Sequence, residues 1–92
     1  ENFIWNTLQK ELHYNDILIP ISYNETIILD LLIKNPYRIF SNAEINNLLE
    51  SENDGKKFSD NVAKTTIKRL REKLPFNIIK NIYAQGYKLD LI

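Results

Sequence analysis

Residues 61–74, Asn61-Val62-Ala63-Lys64-Thr65-Thr66-Ile67-Lys68-Arg69-Leu70-Arg71-Glu72-Lys73-Leu74, describe a helix that is apolar along one face and cationic along the other. At about 100° per residue, Val62, Ala63, Thr66, Ile67, Leu70 and Leu74 fall within an arc of roughly 140°, with Asn61, Lys64, Thr65 and Lys68 opposite. Arg69 and Arg71 flank the apolar stripe. A helix of this kind can bury one side in a core and push its polar and cationic groups into a DNA major groove, which is wide enough to admit a helix. An ordinary surface helix with solvated lysines has the same pattern, so the neighbouring segments decide between the two.

Downstream of Pro75, the alternation of Ile78, Lys80 and Ile82, the turn Tyr83-Ala84-Gln85-Gly86 and the run Tyr87-Lys88-Leu89 predict a β-hairpin over residues 78–89. Upstream, Ser59 is the expected N-cap, preceded by a polar loop from Glu50 to Lys57 with turn chemistry at Asp54-Gly55. Ser41 and Glu44 form a capping box, with Phe40 and Ile45 placed as a hydrophobic staple, and open a helix through Leu48 and Leu49. Ser22 and Glu25 form another, followed by Ile27, Ile28, Leu31 and Leu32 at helical spacing until Asn35-Pro36 ends the run. The first residues hold short β-type runs, Phe3-Ile4-Trp5, Lys10 to Tyr14 and Ile17 to Ile21, with Asn15-Asp16 as a turn. Pro20 cannot donate a ladder bond, so its strand is an edge or ends there. A small N-terminal antiparallel sheet, three helices and a C-terminal hairpin define an α+β fold, the winged helix-turn-helix.

A chain of 92 residues, 43% hydrophobic, supports one core, and residues 1–92 are read as a single domain. The charged fraction of 26% and the ten aromatic residues suit a folded globule. No segment approaches the length of a membrane span, and the opening ENFIWNTLQK lacks the order of a signal peptide, so a cytoplasmic location is expected. The absence of cysteine excludes disulfides and thiolate metal sites. The absence of methionine leads to the expectation that the segment is excised from a longer chain. The net charge of zero hides an asymmetry: residues 1–55 carry 3 Lys/Arg against 9 Asp/Glu, and residues 56–92 carry 9 against 3. A basic half of this kind collects phosphates in a salt-dependent way.

The order of these segments resembles the DNA-binding effector domain of OmpR/PhoB-type response regulators. Ile21 to Leu29 is similar to that family's Leu-Thr-x-x-Glu-x-x-Leu-Leu, and Ile39-Phe40-Ser41-Asn42 to its Val-Ser-Arg helix start. Ala63 to Leu74 stands where the family has Val-Asp-Val-His-Ile-x-Arg-Leu-Arg-x-Lys-Leu, and Tyr83 to Leu89 where it has Arg-Gly-x-Gly-Tyr-x-Leu. The resemblance implies a bacterial two-component transcription regulator that binds double-stranded DNA on tandem half-sites, commonly as a dimer. It further implies a preceding receiver domain, control by phosphorelay, and RNA polymerase as a further partner. Three departures stand out. Tyr83 replaces the wing Arg, Lys64 replaces an acidic residue with a donor suited to guanine, and Glu50 stands near the place of a Trp.

From helical position and family match, Lys64, Thr65 and Arg69 are the expected base readers, while Asn61, Thr66, Lys68, Arg71 and Tyr87 are expected on phosphates. In the wing, Lys80, Asn81, Tyr83 and Lys88 are expected near the minor groove. The bland alternatives are a structural stem for Arg69, core packing for Tyr87 and a sheet-surface role for His13. Glu25 and Glu44 are accounted for by their capping boxes. The sequence holds no nucleophile–base pair, ligand cluster or nucleotide loop, so no enzyme activity, cofactor, metal or small-molecule substrate is expected. The competing function is a winged helix that binds only protein through its basic face, an alternative kept open by Tyr83.

Overall fold

The computed structural model of the protein describes residues 3–90. Within them, three strands, β1 (Phe3–Asn6), β2 (Glu11–Tyr14) and β3 (Ile17–Ile19), precede three helices, α1 (Tyr23–Lys34), α2 (Asn42–Glu52) and α3 (Val62–Lys73). A final antiparallel pair, β4 (Ile79–Ile82) and β5 (Gly86–Leu89), completes the winged helix-turn-helix.

Local chemistry explains the leading sheet. Asn15 and Asp16 both adopt left-handed backbone, at φ 50° and 67°, which is the two-residue hairpin geometry that Asn and Asp tolerate best. The sheet order is β1-β2-β3, and β3 stops at Ile19, immediately before Pro20, rather than running to Ile21. Lys10 belongs to the β1–β2 turn, at φ 57°, and not to the strand. The cross-strand row Trp5, Leu12 and Ile19 faces the core, whereas Ile4, His13 and Leu18 lie on the outer face. Asp30 on α1 anchors this sheet by accepting from Trp5 Nε1 at 3.4 Å and pairing with Lys10 at 3.0 Å.

Both capping boxes form with reciprocal bonds, Ser22 with Glu25 and Ser41 with Glu44. Phe40 and Ile45, the expected staple, are both buried. The third helix departs from expectation. Its N-cap is Asn61, which makes no side-chain capping bond, and Ser59 contributes only its backbone carbonyl, to Val62 N–H at 3.2 Å. The entry to α3 is instead held from outside, because Asn42 donates to the Asp60 carbonyl at 2.9 Å and Phe58 N–H donates to Glu50 at 2.8 Å. Glu50 can do this because α2 continues through the first residues of the expected loop, to Glu52.

The core joins Leu12 to Ile28, Leu29 and Leu32 of α1, Ile45 and Leu49 of α2, Ala63, Ile67 and Leu70 of α3, and Ile79 and Leu89 of the hairpin. Burying each of these leucine and isoleucine side chains contributes about 1.5–3 kcal/mol. The hairpin is fastened by a bridge from Phe40 to Tyr87, with reciprocal backbone bonds of 2.8 and 2.9 Å. Gly86 makes that approach feasible: its φ is 140°, and a Cβ there would lie 2.0 Å from the Phe40 carbonyl oxygen.

Candidate nucleic-acid interface

The amphipathic pattern of α3 sorts its residues into two groups. Ala63, Thr66, Ile67 and Leu70 are buried, while Asn61, Lys64, Thr65, Lys68 and Arg69 are exposed. Three acids of the first half of the chain are committed elsewhere: Asp30 to Lys10 and Lys34, Glu44 to Arg38, and Glu50 to Lys57. Among the described residues, Lys64, Lys68 and Arg69 make no ion pair, so their charge is presented to solvent.

The exposed face lies between two clefts. Lys64 and Asn61 border one together with Asn42 and Ala43 at the start of α2 and with Asn81, Tyr83 and Tyr87 of the hairpin. Arg69 borders the other, beside Tyr23, Asn24 and Glu25 at the start of α1 and Asn53 after α2. The three expected base readers are therefore spread across the width of the helix, with Lys64 towards the hairpin and Arg69 towards α1.

Two of the expected phosphate contacts, Thr66 and Arg71, have hydrogen bonds inside the domain. Thr66 is only 9% exposed, and its hydroxyl donates to the Val62 carbonyl at 2.7 Å, because its helical position turns it onto the apolar stripe. Arg71 is occupied inside the domain: Nε and Nη2 donate to the Ile79 carbonyl at 3.0 and 2.7 Å, and Nη2 also donates to Asn81 Oδ1. Its guanidinium lies 5.9 Å from the centre of the Tyr87 ring. Tyr87 itself is 8% exposed, a core residue that also borders the hairpin-side cleft.

In the hairpin, Lys80 stands directly across from Lys88, and Asn81 across from Tyr87. Because successive side chains alternate between faces, Asn81 and Tyr87 share one face and the two lysines share the other. Tyr83 is 95% exposed at the turn, where Ala84 takes a left-handed φ of 60°.

The cationic face of α3 is thus bordered by the two-stranded wing. The family model described as "Transcriptional regulatory protein, C terminal" matches residues 16–89. The chain belongs to this family, the OmpR/PhoB-type DNA-binding domains of response regulators. Among solved structures, the AdeR DNA-binding domain in complex with an intercistronic region is similar at a TM-score of 0.79 and 23% identity, covering 98% of this chain and 94% of that one. The DNA-binding domain of Bacillus subtilis CssR is similar at 0.79 and 22%, covering 96% and 99%. That of CpxR from E. coli is similar at 0.79 and 20%, covering 96% and 89%. No curated protein matches the chain.

The OmpR/PhoB-type family is a class of DNA-binding transcription regulators and not a class of enzymes. Among the described residues no group of three or more His, Cys, Asp or Glu could hold a metal ion, and no helix is long and apolar enough to cross a membrane. Two functional-looking contacts escaped the sequence reading, the pairing of Lys73 with Glu25 and the bracing of the wing by Arg71. Each joins residues of different elements, 48 positions apart for Lys73 and Glu25 and 8 for Arg71 and Ile79, so helical periodicity carries no signal for them.

Proposed function

We propose that this domain binds double-stranded DNA sequence-specifically, with α3 in the major groove and the hairpin near the adjacent minor groove. Lys64, Thr65 and Arg69 read base edges, each good bidentate pairing contributing about 1–3 kcal/mol of discrimination. Asn61 and Lys68 contact phosphates, with Tyr87 adding its hydroxyl from the cleft, while Lys80, Asn81, Tyr83 and Lys88 meet the backbone around the minor groove. Thr66 and Arg71 are left out because the Thr66 hydroxyl and the Nε and Nη2 of Arg71 are engaged within the domain.

The observation that carries this reading is the exposed face of α3, on which Lys64, Lys68 and Arg69 form no ion pair with any acid among the described residues. We further propose that residues 1–92 are one effector domain of a longer cytoplasmic regulator with an N-terminal receiver domain, acting as a dimer on tandem half-sites and engaging RNA polymerase. A duplex selected from a random library, titrated by gel shift at several salt concentrations, tests the DNA reading. Affinity should fall steeply with salt and should exceed that for unselected DNA. Binding indifferent to both salt and sequence would sink it.

A further inference from the structure

We propose that Arg71 is a positioning residue for DNA binding, acting through Asn81, whose amide it orients so that the wing offers a hydrogen-bond donor to a backbone phosphate. This rests on the DNA reading given above. The argument begins with the chemistry of the guanidinium, which has five N–H donors and no acceptor. The Asn81 atom that meets Arg71 Nη2 must therefore be the amide oxygen, Oδ1. That contact fixes the flip of the side chain, and the Nδ2 amino group is left to face away from the guanidinium. No described residue accepts from Nδ2, and Asn81 is exposed on the cleft that Lys64 and Asn61 also border.

Asp60 borders the same cleft beside α3, and the wing side presents a donor-only amide with the Lys64 ammonium across from it. A donor-only amide suits an anionic oxygen. Arg71 is itself held firmly, because two of its nitrogens chelate the Ile79 carbonyl at 3.0 and 2.7 Å and its charge lies near the Tyr87 ring. An unrestrained Asn could present either its oxygen or its nitrogen to a phosphate. Removing that choice means the wing meets the backbone in one orientation, at a fixed distance from α3.

Asn81→Asp separates this role from a merely structural one. An Asp keeps an acceptor for Arg71, so thermal stability should be unchanged or raised, yet it sets a carboxylate oxygen where the amino group stood. Affinity for the selected duplex should fall about tenfold or more, since a hydrogen bond to a charged group is lost and repulsion is added. A double-mutant cycle of Arg71→Lys and Asn81→Ala gives the second readout. If Arg71 acts through Asn81, the double variant should lose no more affinity than the weaker-binding single variant. Wild-type binding by Asn81→Asp, or additive losses in the cycle, would overturn the proposal while leaving DNA recognition by α3 intact. Failure of the wild-type protein to bind the duplex in a salt-dependent way would overturn both.

Discussion

Lys73 Nζ lies 2.7 Å from Glu25 Oε1, joining the last turn of α3 to the first turn of α1 through a carboxylate that is 2% exposed. The same oxygen accepts from Ser22 N–H at 2.8 Å as part of the capping box. One side chain therefore closes a helix end and ties the candidate reading helix to the element behind it.

Lys73→Met should lower stability by about 2–3 kcal/mol. Breaking a fully buried pair costs about 3–5 kcal/mol, and the figure is reduced because Lys73 is 39% exposed and its charge is screened by solvent. Urea denaturation measures the loss. Stability within error of wild type would show that the pair is dispensable.

Acid should act on the same contact. Burial alone would raise the Glu25 carboxyl, but the Lys73 ammonium and the Ser22 contacts outweigh it and hold the group below its ordinary value of 4.5. A carboxyl depressed in the folded state contributes stability that is fully present above its unfolded value and is lost as pH falls through its folded one. Unfolding free energy should therefore decline as pH drops below about 4.5, and Glu25→Gln should flatten that decline. Identical pH slopes for the two proteins would contradict the assignment.

The two glycines should respond differently to alanine. Gly86→Ala places a Cβ 2.0 Å from the Phe40 carbonyl at a φ of 140°, whereas Gly55, at φ 76°, has open space around it. Backbone strain alone costs about 1–3 kcal/mol, so Gly55→Ala should stay within that range. Gly86→Ala should exceed it and loosen the wing from the segment at Phe40. Thermal melts compare them, and equal losses would refute the close-approach account.

Capping gives a matched pair of variants. Ser41→Ala should cost about 1 kcal/mol, because its hydroxyl accepts from Glu44 N–H at 3.0 Å. Ser59→Ala should be nearly neutral, since among the described contacts only its backbone carbonyl serves the start of α3. A large loss at Ser59 would restore it as the cap.

On DNA, Lys68→Ala should weaken binding to all sequences and reduce the salt slope by about one unit, while Arg69→Ala should relax preference at one base position. Selection of bound sequences from a random library, paired with salt titrations, distinguishes the two patterns. Unchanged titrations for both variants would exclude this face of α3.

The elements were legible in the sequence wherever a local rule governs them. Ser22-x-x-Glu25 and Ser41-x-x-Glu44 close their own helix ends, and Asn15-Asp16 makes its own turn. The start of α3 was misread because Asn42 and Glu50, on another helix, hold the loop that leads to it. The internal contact of Arg71 was not legible for a related reason: its place on the helical wheel is compatible with solvent, and only the arrival of β4 gives it the Ile79 carbonyl.

By itself, then, the order of residues determined the succession of strands and helices, the apolar stripe of α3 and the uneven distribution of charge, because each follows from periodicity or from contacts within about four positions. Tertiary structure alone decided which cations stand free and which serve as struts. Lys68 and Arg71 carry the same charge three residues apart, and what separates them is whether another segment brings a carbonyl within hydrogen-bond reach.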